Sequence, residues 1–224
     1  MQILAHRGAS KRFLENSMEA FRSAISSGCD GMEFDVHFCN GQALIIHDTN
    51  LLRTHKVDVN ITELNETLRQ QYQIPTLTQV MALLPPDLII NIEVKSCDDV
   101  PFMQEYMAKL SHLGLFGEHV VLSSFDKRLL EPLQCIKLPV KWGWLSEDSH
   151  AELPSIRGDI IYDIVGISSE IATAQRITTI KQTGKSVWVF TLDEPTQWED
   201  MLQLGVDGYF TNTPHEAVNW FNTR

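Results

Sequence analysis

The chain has 224 residues, of which 43% are hydrophobic, so it can bury one large core and we expect a single domain over residues 1–224. Its formal net charge of −11 argues against nucleic acid as a partner, because gripping many phosphates needs clustered Lys and Arg. Four scattered cysteines, no export signal and no run of about eighteen apolar residues predict a cytoplasmic protein without stable membrane insertion.

Short β-rich runs alternate with helical segments along the chain, which predicts eight strand–helix units. The predicted strands span residues 3–6, 31–38 (extended by 43–47), 88–94, 120–124, 140–145, 165–168, 187–192 and 209–211. The predicted helices span residues 17–27, 77–84, 102–113, 127–135, 171–183, 196–204 and 215–222, with a weak segment after the fifth strand. Continuous apolar strands covered by helices are typical of a parallel sheet, so we predict an α/β fold, a (β/α)₈ TIM barrel in one domain. The polar connection 48–75 is expected to lie as a loop over the active-site end.

Acidic side chains lie on the second and third predicted strands, whose carboxyl ends are where a barrel of this kind carries its site. Glu33 and Asp35 project to one side of the second strand, because side chains alternate along a strand. Glu93 occupies a similar position on the third strand. Three converging carboxylates form an oxygen-only site, so we expect one divalent cation, Mg²⁺ or Ca²⁺.

Two basic side chains and two histidines complete the predicted site. Arg7 has a planar fork that matches phosphate oxygens and Lys95 adds a point charge, so the pair suits a phosphodiester anion. Cleaving a P–O bond needs one group that takes a proton and another that gives one. His6 and His47 fit these roles, and we favour His6 as the acid and His47 as the base. Three further histidines are expected to be structural: His37, His112 and His119.

A series of short motifs runs in order along essentially the whole chain. The motifs are His6-Arg7-Gly8-Ala9-Ser10, Glu15-Asn16, Ala20-Phe21, Gly28 with Asp30, Glu33, Asp35 and Val36, His47-Asp48, Leu52-Arg53-Thr54, Ile74-Pro75-Thr76-Leu77, Glu93-Val94-Lys95, Ser123-Ser124-Phe125 and Gly205-Val206-Asp207-Gly208. In this combination they resemble the signature of the glycerophosphodiester phosphodiesterase family, whereas the first three residues alone would indicate little.

The resemblance implies a barrel enzyme that hydrolyses phosphoric diesters in glycerol and lipid metabolism. Its expected substrates are small glycerophosphodiesters such as glycerophosphocholine and glycerophosphoethanolamine, cleaved to sn-glycerol 3-phosphate and an alcohol by metal-dependent, two-histidine acid–base catalysis. All seven family positions are filled: metal ligands Glu33, Asp35 and Glu93, catalytic His6 and His47, and phosphate-binding Arg7 and Lys95. The metal, the preferred alcohol, the nucleophile (water or the substrate's 2-hydroxyl) and the oligomeric state stay open.

Two positions depart from the family pattern near the ends of the last strands. Phe190 stands where the family often has tryptophan, and we expect an apolar wall for the glycerol or alcohol moiety, or else plain barrel core. Asn212 stands where an aspartate is usual. Both changes are expected to affect substrate preference more than catalysis.

Three other functions would use the same residues differently. A phospholipase acting on intact phosphatidylinositol or sphingomyelin should show an apolar rim or an export signal, and the sequence has neither. A glycosidase could use Glu33 and Glu93 as its carboxylate pair, but it leaves the basic residues and both histidines unexplained. A barrel that only binds a phosphorylated ligand has no need of intact metal and histidine positions.

Overall fold

The computed structural model describes residues 1–149 and 161–224. Within them, one sheet contains the strands β1 (Gln2–His6), β2 (Gly31–Cys39), β3 (Gln42–Ile45), β4 (Ile89–Cys97), β5 (Val120–Ser124), β6 (Lys141–Ser146), β7 (Ile164–Ser168), β8 (Ser186–Phe190) and β9 (Gly208–Thr211). All except β3 pair in parallel, and the barrel closes because β1 pairs with both β2 and β9. The predicted (β/α)₈ barrel is confirmed.

Helices follow the parallel strands on the outside of the barrel. In the described residues they are α1 (Met18–Ser27), α2 (Leu52–His55), α3 (Glu66–Gln71), α4 (Leu77–Met81), α5 (Val100–His112), α6 (Lys127–Cys135), α7 (Ala174–Gln182), α8 (Pro195–Gln203) and α9 (Pro214–Asn222), with 3₁₀ turns at Ile61–Glu63 and Ser169–Ile171. The weak segment predicted after the fifth strand falls mostly on residues 150–160, outside the described residues. No helix in the described part of the chain combines the length and apolarity needed to cross a bilayer.

The segment predicted to extend the second strand forms a separate strand, β3, which folds back antiparallel onto β2. The reversal occurs at Asn40 and Gly41, whose φ angles are 50° and 67°. Asn-Gly tolerates two successive positive φ angles, which is the condition for a tight hairpin turn. The hairpin carries the chain back so that His47 follows β3 beside the carboxyl end of the barrel.

Residues 48–75, predicted as a polar loop, are partly folded and have a small core of their own. They contain α2, α3 and the first 3₁₀ turn. Their buried apolar side chains pack with residues of the hairpin: Cys39, Leu44, Ile46, Leu51, Ile61, Leu64 and Ile74. The apolar residues are spaced widely among polar ones, so no periodic pattern shows in the sequence.

The barrel interior divides into an apolar lower part and a polar upper part. A compact group of inward-facing side chains fills the lower part: Leu4, Val121, Ile164, Trp188 and Phe210. Leu4 lies two residues before His6 on β1, so the apolar group lies directly beneath the histidine. The polar side chains at the mouth therefore stand on a packed floor.

Gly8, just after β1, makes close packing between the first loop and α1 possible. Its φ is +80°, and a Cβ there would lie 2.6 Å from the carbonyl carbon of Ala20. We expect Gly8→Ala to lower the free energy of unfolding by about 3 kcal/mol, through left-handed strain and overpacking together. Gly28→Ala is the matched control, because its φ is +76° and no atom lies within 4 Å. Urea denaturation should show a loss of about 1 kcal/mol in the free energy of unfolding for the control. Equal losses in the two variants would show that the contact with Ala20 is unimportant.

Candidate active site

Four of the predicted site residues meet because adjacent strands hold them level with one another. His6 on β1 lies in register with Glu33 on β2. Asp35, further along the same face of β2, lies in register with Glu93 on β4. Paired residues of parallel strands project to the same face, so these side chains all point into the barrel.

The three carboxylates form a buried cluster. Glu33, Asp35 and Glu93 each offer an oxygen, and these oxygens lie within 4.8 Å of one another. Two oxygens of the cluster, Glu33 Oε1 and Asp35 Oδ1, are buried without a hydrogen bond. Buried carboxylate oxygens are normally paired, and an all-oxygen donor set suits a hard divalent cation. The residues present therefore fit a cation site.

Two basic side chains partly neutralise the cluster from opposite sides. Arg7 Nε lies 3.1 Å from Asp35 Oδ2, and Arg7 Nη1 lies 3.1 Å from Glu15 Oε1. Lys95 Nζ lies 2.8 Å from Glu93 Oε1 and 3.9 Å from Asp35 Oδ1. Both basic side chains reach the cavity, where an anion could contact them.

The pKa values of the three carboxylates reflect their burial and the excess of negative charge in the cluster. Burial, and then the neighbouring charge of Asp35, raise the pKa of Glu33 well above its ordinary value and that of Glu93 to about 7. Burial also acts to raise the pKa of Asp35, but the positive charge of Arg7 and of other nearby bases outweighs burial and lowers it. The cluster is thus short of positive charge, as expected of a site built around a cation.

His6 is held by a chain of two polar residues behind it. Its Nδ1 lies 2.8 Å from Asn212 Oδ1, and Asn212 Nδ2 donates to Asp193 Oδ2 at 2.7 Å. A carboxylate only accepts hydrogen bonds, so Asp193 fixes which end of the amide faces the histidine. Nδ1 must then carry the hydrogen, which leaves Nε2 as the unprotonated nitrogen. Burial, and then the charge of Arg7, lower the pKa of His6 to about 4.

His47 is held by charged residues instead. Its Nδ1 lies 2.6 Å from Asp48 Oδ1, and its Nε2 lies 3.2 Å from Lys95 Nζ. Arg53 on α2 bridges Asp48 Oδ2 and both oxygens of Glu15. The partly folded segment after β3 therefore braces the second histidine and ties it to the loop after β1.

His37, expected to be structural, is a buried support for His47. Its Nε2 lies 2.9 Å from the carbonyl oxygen of His47, and its Nδ1 lies 2.7 Å from Ser96 Oγ. Both ring nitrogens are thus engaged away from the cavity. His37 thus fixes the backbone that carries His47.

All predicted site residues except the fully buried Asp35 line a cavity of about 550 Å³ at the mouth of the barrel. Carboxylates and histidines form its inner end, and apolar side chains form a wall: Phe125, Leu145, Phe190 and Phe210. The rings of Phe125 and Phe190 meet edge to face at 5.7 Å, and those of Phe190 and Phe210 lie 6.3 Å apart. The cavity thus has a charged end and an aromatic side.

Sequence reasoning missed the support behind the first histidine. Asp193 was not singled out, and Asn212 was expected to affect substrate preference, yet it lies behind His6 and contacts it. The available signal was position, since each of these two residues closely follows a strand at the carboxyl end of the barrel. Periodicity could not show that strands β1 and β9 are neighbours, and this contact depends on that pairing.

Comparisons with known proteins agree with this fold. A model of the glycerophosphoryl diester phosphodiesterase family matches residues 6–216. A glycerophosphodiester phosphodiesterase of Caldanaerobacter subterraneus is 29% identical over 240 residues, which cover 97% of this chain and 96% of the relative. The solved structure of the enzyme of that name from Thermotoga maritima is 26% identical, with a TM-score of 0.78 and coverage of 98% of this chain and 97% of its own. A phosphodiesterase of Oleispira antarctica, solved with its product sn-glycerol-3-phosphate, shares the fold at 22% identity and a TM-score of 0.81, with 99% and 97% covered.

Proposed function

The chain belongs to the glycerophosphoryl diester phosphodiesterase family, and from this premise we propose that it hydrolyses glycerophosphodiesters such as glycerophosphocholine and glycerophosphoethanolamine to sn-glycerol 3-phosphate and an alcohol. The observation that carries the proposal is the buried cluster of Glu33, Asp35 and Glu93, of which Glu33 and Glu93 line one cavity with two histidines and two bases. A relative covered almost end to end bears the name of this activity.

The cluster would hold one divalent cation, Mg²⁺ or Ca²⁺, through Glu33, Asp35 and Glu93. When bound, such an ion withdraws electron density from a phosphoryl oxygen and stabilises the charge that develops there. Arg7 and Lys95 add two positive charges beside the carboxylate cluster. We propose that they orient the phosphodiester and neutralise its negative charge.

We assign the base to His6 and the acid to His47, the reverse of the order that we favoured from the sequence. His6, with a pKa of about 4, is neutral at pH 7, and its Nε2 has a free lone pair. Asp48 Oδ1 accepts a hydrogen bond from Nδ1 of His47, the contact through which an aspartate orients the histidine and balances its charge in serine protease triads. His47 is therefore the better carrier of a proton for the leaving group once Lys95 Nζ, which lies 3.2 Å from Nε2 and can only donate, turns to the phosphate.

The proton balance follows from this assignment. The nucleophile, which is water or the substrate's 2-hydroxyl, loses its proton to His6 as its oxygen bonds to phosphorus. The bond from phosphorus to the alcohol breaks, and the alkoxide takes the proton of His47. Phosphorus NMR distinguishes the two nucleophiles, because attack by the 2-hydroxyl gives a transient cyclic phosphate, which water must then open to sn-glycerol 3-phosphate.

Phe190 and its aromatic neighbours form the apolar wall beside the charged end, and we assign them the glycerol or alcohol part of the substrate. We also propose a cytoplasmic location. The four cysteines, all in the described part of the chain, are free thiols, the state that a reducing cytosol maintains.

Loss of the support behind His6 should slow turnover without weakening substrate binding. In Asp193→Asn the amide of Asn212 can turn around and present its NH₂ to His6 Nδ1, which forces the hydrogen onto Nε2. We expect kcat to fall about a hundredfold with KM nearly unchanged, because the ring is held as the wrong tautomer. Steady-state kinetics measures both constants, with exposed Asp200→Asn as the control. A loss confined to KM would contradict the orienting role.

The experiment that tests the proposed function measures release of sn-glycerol 3-phosphate from glycerophosphocholine and glycerophosphoethanolamine. We expect release that stops in excess EDTA and returns with Mg²⁺ or Ca²⁺. Intact phosphatidylinositol and sphingomyelin serve as comparison substrates. Cleavage of the intact lipids alone, or no cleavage with any metal, would overturn the proposal.

A further inference from the structure

Asn91 is a buried polar residue whose side chain has no partner. It lies on β4 in register with Glu33 on β2, and it faces the barrel interior two residues before Glu93. Only 1% of Asn91 is exposed, and it lines the cavity. Neither its Oδ1 nor its Nδ2 makes a hydrogen bond.

The neighbours of Asn91 show the same lack of partners. Glu33 Oε1 and Asp35 Oδ1 are also buried without a hydrogen bond. A buried carboxamide or carboxylate is nearly always hydrogen-bonded, because removing it from water uncompensated is costly. Three such side chains at one place point to a species bound between them, and the carboxylate oxygens require it to be positive.

We propose that Oδ1 of Asn91 is a fourth, neutral ligand of the divalent cation held by Glu33, Asp35 and Glu93. The inference rests on the proposed function only for the presence of that cation. Side-chain amide oxygens are regular ligands of Ca²⁺, and Mg²⁺ also selects oxygen donors. Three carboxylates already lie within ligand distance of one another, so a neutral oxygen completes the site without adding negative charge.

The test compares cation binding in wild type and in two variants at Asn91, without substrate. Asn91→Leu keeps the shape and removes both polar atoms, whereas Asn91→Asp keeps the ligating oxygen. Isothermal titration with Mg²⁺ and with Ca²⁺ gives Kd, and thermal melting with and without the ion gives the change in Tm. We expect the Kd of Asn91→Leu to rise about tenfold or more, and Asn91→Asp to bind at least as tightly as wild type.

Stability without the cation separates a ligand from a structural residue. If Asn91 serves the cation, cation-free Asn91→Leu should melt no lower than wild type, because an unpartnered buried amide has been removed. Tyr209→Phe is the matched control. Its hydroxyl on β9 is also buried without a partner but does not line the cavity, and its removal should leave Kd within about twofold of wild type.

A Kd for Asn91→Leu equal to that of wild type overturns the inference. Should Asn91→Leu not fold, Asn91→Asp decides, and weaker binding than wild type overturns it. The proposed function can fail independently of this inference. If the wild type binds the cation through Asn91 but releases no glycerol 3-phosphate, the assignment of Asn91 as a ligand stands and the proposed function is wrong. If hydrolysis needs the cation but Asn91→Leu leaves cation binding unchanged, the proposed function stands and Asn91 is not a ligand.

Discussion

Replacing either His6 or His47 with alanine should lower kcat on glycerophosphocholine about a thousandfold and leave the protein folded. Each ring points its Nε2 into the cavity and is held from behind through Nδ1. Neither ring belongs to the packed floor of the barrel, so the free energy of unfolding should change little. Steady-state kinetics and urea denaturation measure the two effects.

A substrate with a better leaving group should separate the two roles. p-Nitrophenolate leaves without a proton, so the p-nitrophenyl ester of glycerol phosphate does not need the acid. On this ester His47→Ala should recover to within about tenfold of wild type, and His6→Ala should stay about a thousandfold slower. If the activity of His6→Ala recovered on this ester and that of His47→Ala did not, His6 would be the acid and His47 the base.

His112→Ala serves as the control for both substitutions. His112 lies exposed at the end of α5, outside the cavity, and should keep wild-type kinetics. Near-wild-type turnover in both His6→Ala and His47→Ala would remove acid–base catalysis by this pair altogether.

Glu93→Gln should lower kcat/KM about a thousandfold and weaken cation binding, because it replaces one of the three carboxylates of the cluster with a neutral amide. The change keeps the size of the side chain and adds no cavity. Lys95 loses the partner that lies 2.8 Å away, so the variant also leaves that ammonium less firmly positioned. Titration with Mg²⁺ or Ca²⁺ gives the Kd of the cation, and kcat measured at saturating cation then distinguishes weaker binding from a slower chemical step.

The control for Glu93→Gln is Glu147→Gln. Glu147 lines the same cavity but is not one of the carboxylates that lie within ligand distance of one another. Its substitution should leave the Kd of the cation within about twofold of wild type. Equal losses in both variants would mean that the cavity attracts the ion by its overall charge and not by this cluster.

The sequence by itself was sufficient to predict the barrel and those contacts of the site that lie within one strand or between adjacent residues. Strand and helix periods are local, and they predicted the parallel strands to within a few residues. Alternation along a strand placed Glu33 and Asp35 on one face, which holds whatever strand lies beside them. The adjacent pair His47-Asp48 is likewise local, and in the structure the two side chains meet at 2.6 Å.

Other features depended on which segments the fold brings together. The segment 48–75 looked polar and irregular, yet Arg53 from it braces Asp48 and Glu15, because the segment packs on the hairpin through its own small core. The sequence carries no period for such a segment, since its apolar residues bury against one another from several directions.

Only the tertiary structure decided what stands behind the first histidine and beside the carboxylates. His6 and Asn212 are 206 residues apart and touch because closure of the barrel pairs β1 with β9. Asn91 reads in the sequence as one polar residue in an apolar strand, and its lack of a partner appears only when its neighbours are in place. Local periods determine elements and the faces of strands, whereas contacts across a closed barrel depend on strand order and register, which only the whole packed chain determines.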